Sequence, residues 1–137
     1  MITVHLKSYN FQASSFKLNL IRLQEGVSYR TWHAKMTKQF IDKCPYPIVL
    51  CGDFNEPTHS YSYRLVSKGL KNAFDISGDF FQYTFWLKGM PIRIDHILTS
   101  PELRTKDFEV THRLGWSDHA PVSVRIGLQD PASRKRR

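Results

Sequence analysis

Three short stretches carry polar side chains where an apolar strand should simply run on or stop: "GDFN" at 52–55, "RIDHIL" at 93–98 and "SDHAPV" at 117–122. In the first, Asp53 and Asn55 stand two apart, and on an extended chain such residues face the same side. A carboxylate and an amide oxygen projecting together suit Mg²⁺, which keeps several waters and takes only one or two protein carboxylates beside substrate phosphate. For this tetrapeptide alone, a turn closed by Asp and Asn is the simpler reading. In the second stretch, Asp95 interrupts an apolar strand of Ile92, Ile94, Ile97 and Leu98. A carboxylate there is costly to bury without a partner, and the adjacent His96 must point to the opposite face. The third stretch offers that partner, because Ser117, Asp118 and His119 stand just before Pro121 and a new apolar run. An Asp–His pair across strands would fix the imidazole tautomer and raise its basicity, as a general acid-base or phosphate-stabilising histidine requires. His33, His59, His96 and His112 read as ordinary surface or core residues.

Together, three acidic strand ends, an amide and a histidine match phosphodiester hydrolysis. A hard cation polarises the phosphate, an Asp orients or deprotonates water, and a His steadies the developing charge.

The elements that must position these residues follow from the hydrophobic pattern. "ITVHLKSY" (2–9) alternates as a strand with one wet face. Tyr29, Trp32, Met36 and Phe40 recur at helical spacing within 28–43, with Ser28 as N-cap and Pro45 and Pro47 as stops. "PIVLCGDF" (47–54) is a continuous apolar run, the mark of a strand covered on both faces. Pro57 and "THSYSYRLVSKGL" predict a short second helix closing near Gly69. "NAFD", "QYTFWL", "IRIDHILTS", "FEVTHRL" and "PVSVRIGL" are candidate strands, and the alternation of Tyr83, Phe85 and Leu87 assigns the aromatics to a sheet core. Strand, helix, buried strand, helix and then a run of strands predict an α+β fold, a layered α/β sandwich.

With 137 residues, 41% of them hydrophobic, the chain can bury the core of one domain. Residues 1–129 are expected to form it, with 130–137 a basic tail. No apolar run approaches a membrane span and no signal peptide is visible, so the expectation is a cytoplasmic protein. The net charge of +8 favours polyanionic partners, nucleic acid among them. Cys44 and Cys51 form no CxxC pair and no zinc spacing with the histidines, and Cys51 reads as a small core residue.

"GDFN", "RIDHIL" and "WSDHAPVSV", in that order, resemble the endonuclease/exonuclease/phosphatase superfamily, the deoxyribonuclease I-like proteins, and "VHLKS" is similar to that family's first His-bearing strand. The resemblance runs from about residue 2 to about 126. It implies that Asp53 orients or activates the attacking water, Asn55 holds the scissile phosphate, and His119 contacts a phosphate oxygen. Asp95 would pair with His119, and His5 would sit across the phosphate. It further implies Mg²⁺ or Mn²⁺, with Asp118 holding it beside Asp53 and Asn55. Apart from the resemblance, the loops over 59–64 and 87–93 offer Arg64, Lys88 and Arg93 as phosphate contacts, and Ser117 is a further candidate substrate contact. Two departures stand out. Thr3 occupies the place of the family's Asn, and the segment bearing the family's metal-binding Glu has no counterpart, so the chain resembles the C-terminal half of a domain roughly twice its size. Such a half would expose one sheet face, to be covered by the missing half or by a second copy in a homodimer. The expected activity is a metal-dependent phosphoesterase acting on phosphodiesters or phosphomonoesters, with a nuclease-like substrate favoured. The alternatives are a binding module that keeps the fold without turnover, and a basic nucleic-acid binder without chemistry.

Overall fold

The computed structural model of the chain describes residues 1–8, 16–76, 82–87, 89–111 and 117–128. The basic tail, Lys88 and His112 lie outside the described residues. The chain runs through strand β1 (Ile2–His5), helix α1 (Phe16–Lys43), β2 (Val49–Asp53), helix α2 (Tyr61–Ser67) and β3 (Lys71–Asn72). A single 3-10 turn over Ala73–Ile76 leads to β4 (Phe85–Leu87), β5 (Met90–Ile92), β6 (Asp95–Thr99), β7 (Leu103–Val110) and β8 (Val122–Leu128).

Four strands form the central sheet in the order β1-β2-β6-β3, with β1 parallel to β2 and β6 antiparallel to both of its neighbours. One face meets the helices. Leu50, Leu98 and Phe54 pack there with Ala34 and Ile41 of α1 and with Tyr63 and Val66 of α2. The other face meets the antiparallel pair β7–β8, where Ile97 and Ala73 pack with Phe108 and Val110, flanked by Val49, Cys51, Val122 and Val124. Leu50 thus points into one cluster while Val49 and Cys51 border the other, and β2 is covered on both faces as its unbroken apolar run implies. This is the α+β layered arrangement read from the sequence. The sheet face that a half-domain would leave bare is partly filled by β7 and β8. Among the described residues no helix is long and apolar enough to cross a membrane.

Several elements differ from expectation. Helix α1 begins at Phe16, so Ser28 lies within it and caps nothing. Its inward line is Gly26, Arg30, Ala34 and Ile41, whereas Tyr29, Trp32, Met36 and Phe40 are exposed. Ala34 packs in the cluster on the sheet and Gly26 faces the Arg30 guanidinium, while the bulky stripe is turned outward. In "QYTFWL" the buried residue is Thr84, while Trp86 and Leu87 are exposed. "NAFD" yields only two strand residues before the 3-10 turn. Helix α2 is capped by Ser60, whose hydroxyl accepts from the Tyr63 amide, and is followed by Gly69 at φ +86°.

Candidate active site

Strand pairing sets the site. β1 and β2 run parallel and finish together, and β6 starts at the same level because it runs the other way. His5 therefore registers with Asp53, and Asp53 with Asp95, in one row across three strands. The close approach of β1 to β2 requires Gly52. A Cβ there would lie 1.9 Å from the Val4 carbonyl oxygen, and φ of +144° suits glycine alone.

Beyond Asp53 the chain turns sharply. Asn55 adopts φ of +47°, a left-handed conformation that asparagine tolerates, and its amide donates 2.7 Å to Asp53 Oδ1. Its side-chain nitrogen donates to Asp53 Oδ2 and to the Leu6 carbonyl, each at 2.8 Å. Both amide hydrogens are thereby used, so the Asn55 oxygen is what this residue can offer a ligand. His5 brings Nε2 within 3.6 Å of Asp53 Oδ2 from a side chain that is 74% exposed. Burial pushes the Asp53 carboxyl above its ordinary value and the nearby Asp95 charge adds to that, against the opposing amide bond from Asn55 and the pull of His119 and His5.

His119 joins from the segment before β8. Its Nδ1 lies 2.8 Å from Asp95 Oδ2, with both side chains more than two-thirds buried. The carboxylate can only accept, so Nδ1 carries the hydrogen and Nε2 is the nitrogen left for a ligand. The Ser117 hydroxyl accepts from the His119 amide at 3.1 Å and closes the turn. The Phe85 ring lies 4.8 Å from the imidazole, and Phe85 bridges to His119 through the backbone. A cleft of about 380 Å³, bordered by Cys51, Gly52, Asp95, Ser117, His119 and Val122, opens beside the pair.

Asp53, Asn55, Asp95, His5 and His119 thus come together, with Ser117 supporting the last. Asp118 is exposed next to His119. Arg93 stacks over the Phe74 ring, 3.2 Å from its centroid, and half-burial lowers its guanidinium pKa from the usual range. Arg64 is exposed on α2. His96 turns away from Asp95 as its alternation requires. It packs 5.2 Å from Phe54 and 4.6 Å from Tyr63 and meets the Glu56 carbonyl at 3.2 Å.

Among the described residues no group of three or more His, Cys, Asp or Glu side chains is arranged to hold a metal ion. The Asp53 carboxylate and the Asn55 amide oxygen nevertheless form a hard-oxygen donor pair. That chemistry fits a cation which completes its shell with water and phosphate.

Sequence reasoning missed Thr84. This buried residue accepts at Oγ1 from the Ile94 and Asp95 amides, each at 3.1 Å, while its carbonyl accepts from Ala120 at 2.7 Å. One residue, through its hydroxyl and its carbonyl, therefore ties the start of β6 to the segment carrying His119, and only its lodging among aromatics hinted at it. Glu56 was also missed, although it directly follows "GDFN". It is buried and paired with Arg30 of α1.

The family model described as the endonuclease/exonuclease/phosphatase family matches residues 25–119, a stretch that takes in Asp53, Asn55, Asp95, Asp118 and His119 but not His5. No curated protein matches the sequence significantly. Among solved structures, a mannosyl-6-phosphatase of Bacteroides thetaiotaomicron is 26% identical with a TM-score of 0.57, over 74% of this chain and 46% of that one. An endonuclease/exonuclease/phosphatase from Bacteroides vulgatus is 24% identical with a TM-score of 0.65, over 76% and 46%. An AP endonuclease from Archaeoglobus fulgidus is 19% identical with a TM-score of 0.65, over 93% and 60%. The chain spans about half the length of these proteins.

Proposed function

The chain belongs to the endonuclease/exonuclease/phosphatase family, and from that premise we propose that it carries the catalytic half of a metal-dependent phosphoesterase, with a nucleic-acid phosphodiester as the favoured substrate. One observation carries this reading: strand register lines up His5, Asp53 and Asp95, and Asp95 holds His119 through Nδ1.

In this reading Asp53 accepts a proton from the attacking water. Its upward-shifted carboxyl makes it a stronger base than an exposed aspartate. The water oxygen bonds to phosphorus as the ester oxygen departs. His119, its Nδ1–H given to Asp95, presents Nε2 to the phosphate oxygens and stabilises their growing charge. His5 faces the same phosphate from β1. Mg²⁺ or Mn²⁺ would be held by Asp53, the Asn55 amide oxygen and Asp118, and when bound supplies Lewis-acid polarisation of the phosphate. Ser117, Arg93 and Arg64 are the proposed substrate contacts. The +8 charge supports a polyanionic substrate. Two unpaired thiols accord with a reducing, cytoplasmic setting. The half-length of the chain supports completion of the site by the rest of a full-size domain or by a second copy.

The sparse donor set among the described residues favours one other reading, a module that keeps the fold without turnover. Hydrolysis of supercoiled plasmid and of bis(4-nitrophenyl) phosphate, with Mg²⁺, Mn²⁺ or EDTA, decides between them. Turnover that needs metal and falls at least about 100-fold in both Asp53→Asn and His119→Ala is expected. A folded protein without turnover under any metal would favour the second reading.

A further inference from the structure

Arg30 sits mid-helix in α1 with no exposed surface, far in sequence from every residue of the row. Its Nε pairs with Glu56 Oε1 at 2.5 Å, and its Nη1 donates 2.9 Å to the Lys7 carbonyl. Glu56 directly follows Asn55, and Lys7 is two residues beyond His5. One guanidinium therefore grips both loops that leave the site, the one after β1 and the one after β2. The two loops are also tied to each other. Leu6 donates its amide to the Asp53 carbonyl at 2.9 Å, and Asn55 Nδ2 donates to the Leu6 carbonyl at 2.8 Å. Gly26, one turn before Arg30, leaves the guanidinium its room, since a Cβ there would stand 3.1 Å from Nη1.

Stability alone is a poor reason for this pair. Removing two charges from water is costly, and well-packed apolar replacements of buried ion pairs are often neutral or stabilising. A planar fork with donors in fixed directions does something an apolar pair cannot, which is to hold two backbone segments at a set distance and angle.

We propose that Arg30 is a positioning residue: its guanidinium, forked between Glu56 and the Lys7 carbonyl, sets the loop carrying Asp53 and Asn55 against the strand end carrying His5. The inference rests on the proposed reading of the site, and its test separates the two. Arg30→Met/Glu56→Met removes both partners of this ion pair together, while Arg30→Lys keeps the charge and loses the fork. Each is followed by thermal unfolding, by kcat and KM on the phosphodiester, and by the side-chain amide resonances of Asn55.

The double variant is expected to unfold within about 5 °C of wild type, to lose roughly 10- to 100-fold in kcat with KM changed less than about threefold, and to shift the Asn55 resonances. Arg30→Lys should shift them in the same direction by less, which keeps the idea testable if the double variant does not fold. A folded variant with unmoved Asn55 resonances overturns the proposal, whatever its turnover. If wild type hydrolyses nothing, the resonances still decide, because they report position and need no chemistry.

Discussion

Replacing Asp95 by Asn separates two roles that the geometry gives this carboxylate. Toward His119 it is a charged acceptor at 2.8 Å, and toward Asp53 it is a like charge directly opposite on the neighbouring strand. Bonds to charged groups contribute about 1.5–3 kcal/mol, so a loss felt fully in the transition state would slow hydrolysis by about 10- to 100-fold. Carboxylates on facing residues of adjacent strands stand roughly 5 Å apart, which gives a repulsion of about 0.8 kcal/mol at the dielectric of water and about 3 kcal/mol at an effective value of 20. Asp95→Asn removes that repulsion, so the Asp53 carboxyl should titrate lower. Burial, the larger cause, stays in place, so Asp53 should remain above an ordinary aspartate. Carbon-detected NMR of the side-chain carboxyls over a pH series reads this directly, without any need for turnover. If the variant is active, the acidic limb of its rate profile should move down with it. A folded Asp95→Asn protein whose Asp53 titrates unchanged, or higher, would refute the reasoning.

Three further outcomes follow from the same structure. Asp53 has a raised carboxyl, so its contribution to stability is fully present below its unfolded value of 3.8 and is lost as pH rises through the folded value. Asp53→Asn should therefore be inactive yet more stable than wild type at pH 7, with the gain vanishing toward pH 3 in urea titrations. His96 titrates at about 4 because burial disfavours its charged form, so the unfolded chain takes up a proton between about pH 6.5 and 4 that the folded chain refuses. Stability should fall through that window by up to roughly 3 kcal/mol, and His96→Phe should flatten this part of the chemical-denaturation profile. Gly52→Ala places a methyl against the Val4 carbonyl at a φ that L-residues avoid, for a combined cost of about 2–6 kcal/mol and a fall in Tm of roughly 10 °C or more by calorimetry.

A polar residue interrupting an apolar strand reveals itself locally. Asp53, Asn55, Asp95 and His119 were legible because each stands at the end of a run that otherwise reads as buried, and period-2 alternation separates Asp95 from His96 without any fold. The covered strand over 49–53 and the capped helix over 61–67 were legible for the same reason, since their apolar patterns and turn residues lie within a few positions of one another. Helix α1 shows where this stops. Its apolar stripe of Tyr29, Trp32, Met36 and Phe40 has the right period, but period alone does not say which face meets the sheet. Contacts 26 residues away, between Arg30 and Glu56, accompany the opposite choice. Thr84 is similarly silent, because its three acceptor contacts come from segments 10 to 36 residues distant that meet only after the sheet forms. The row of His5, Asp53 and Asp95 belongs to both levels. Residue types and strand ends were written locally, whereas their alignment depends on β1 and β2 running parallel and β6 running against them. Strand pairing is a long-range choice, made by burial of both sheet faces at once, and no window of sequence contains it.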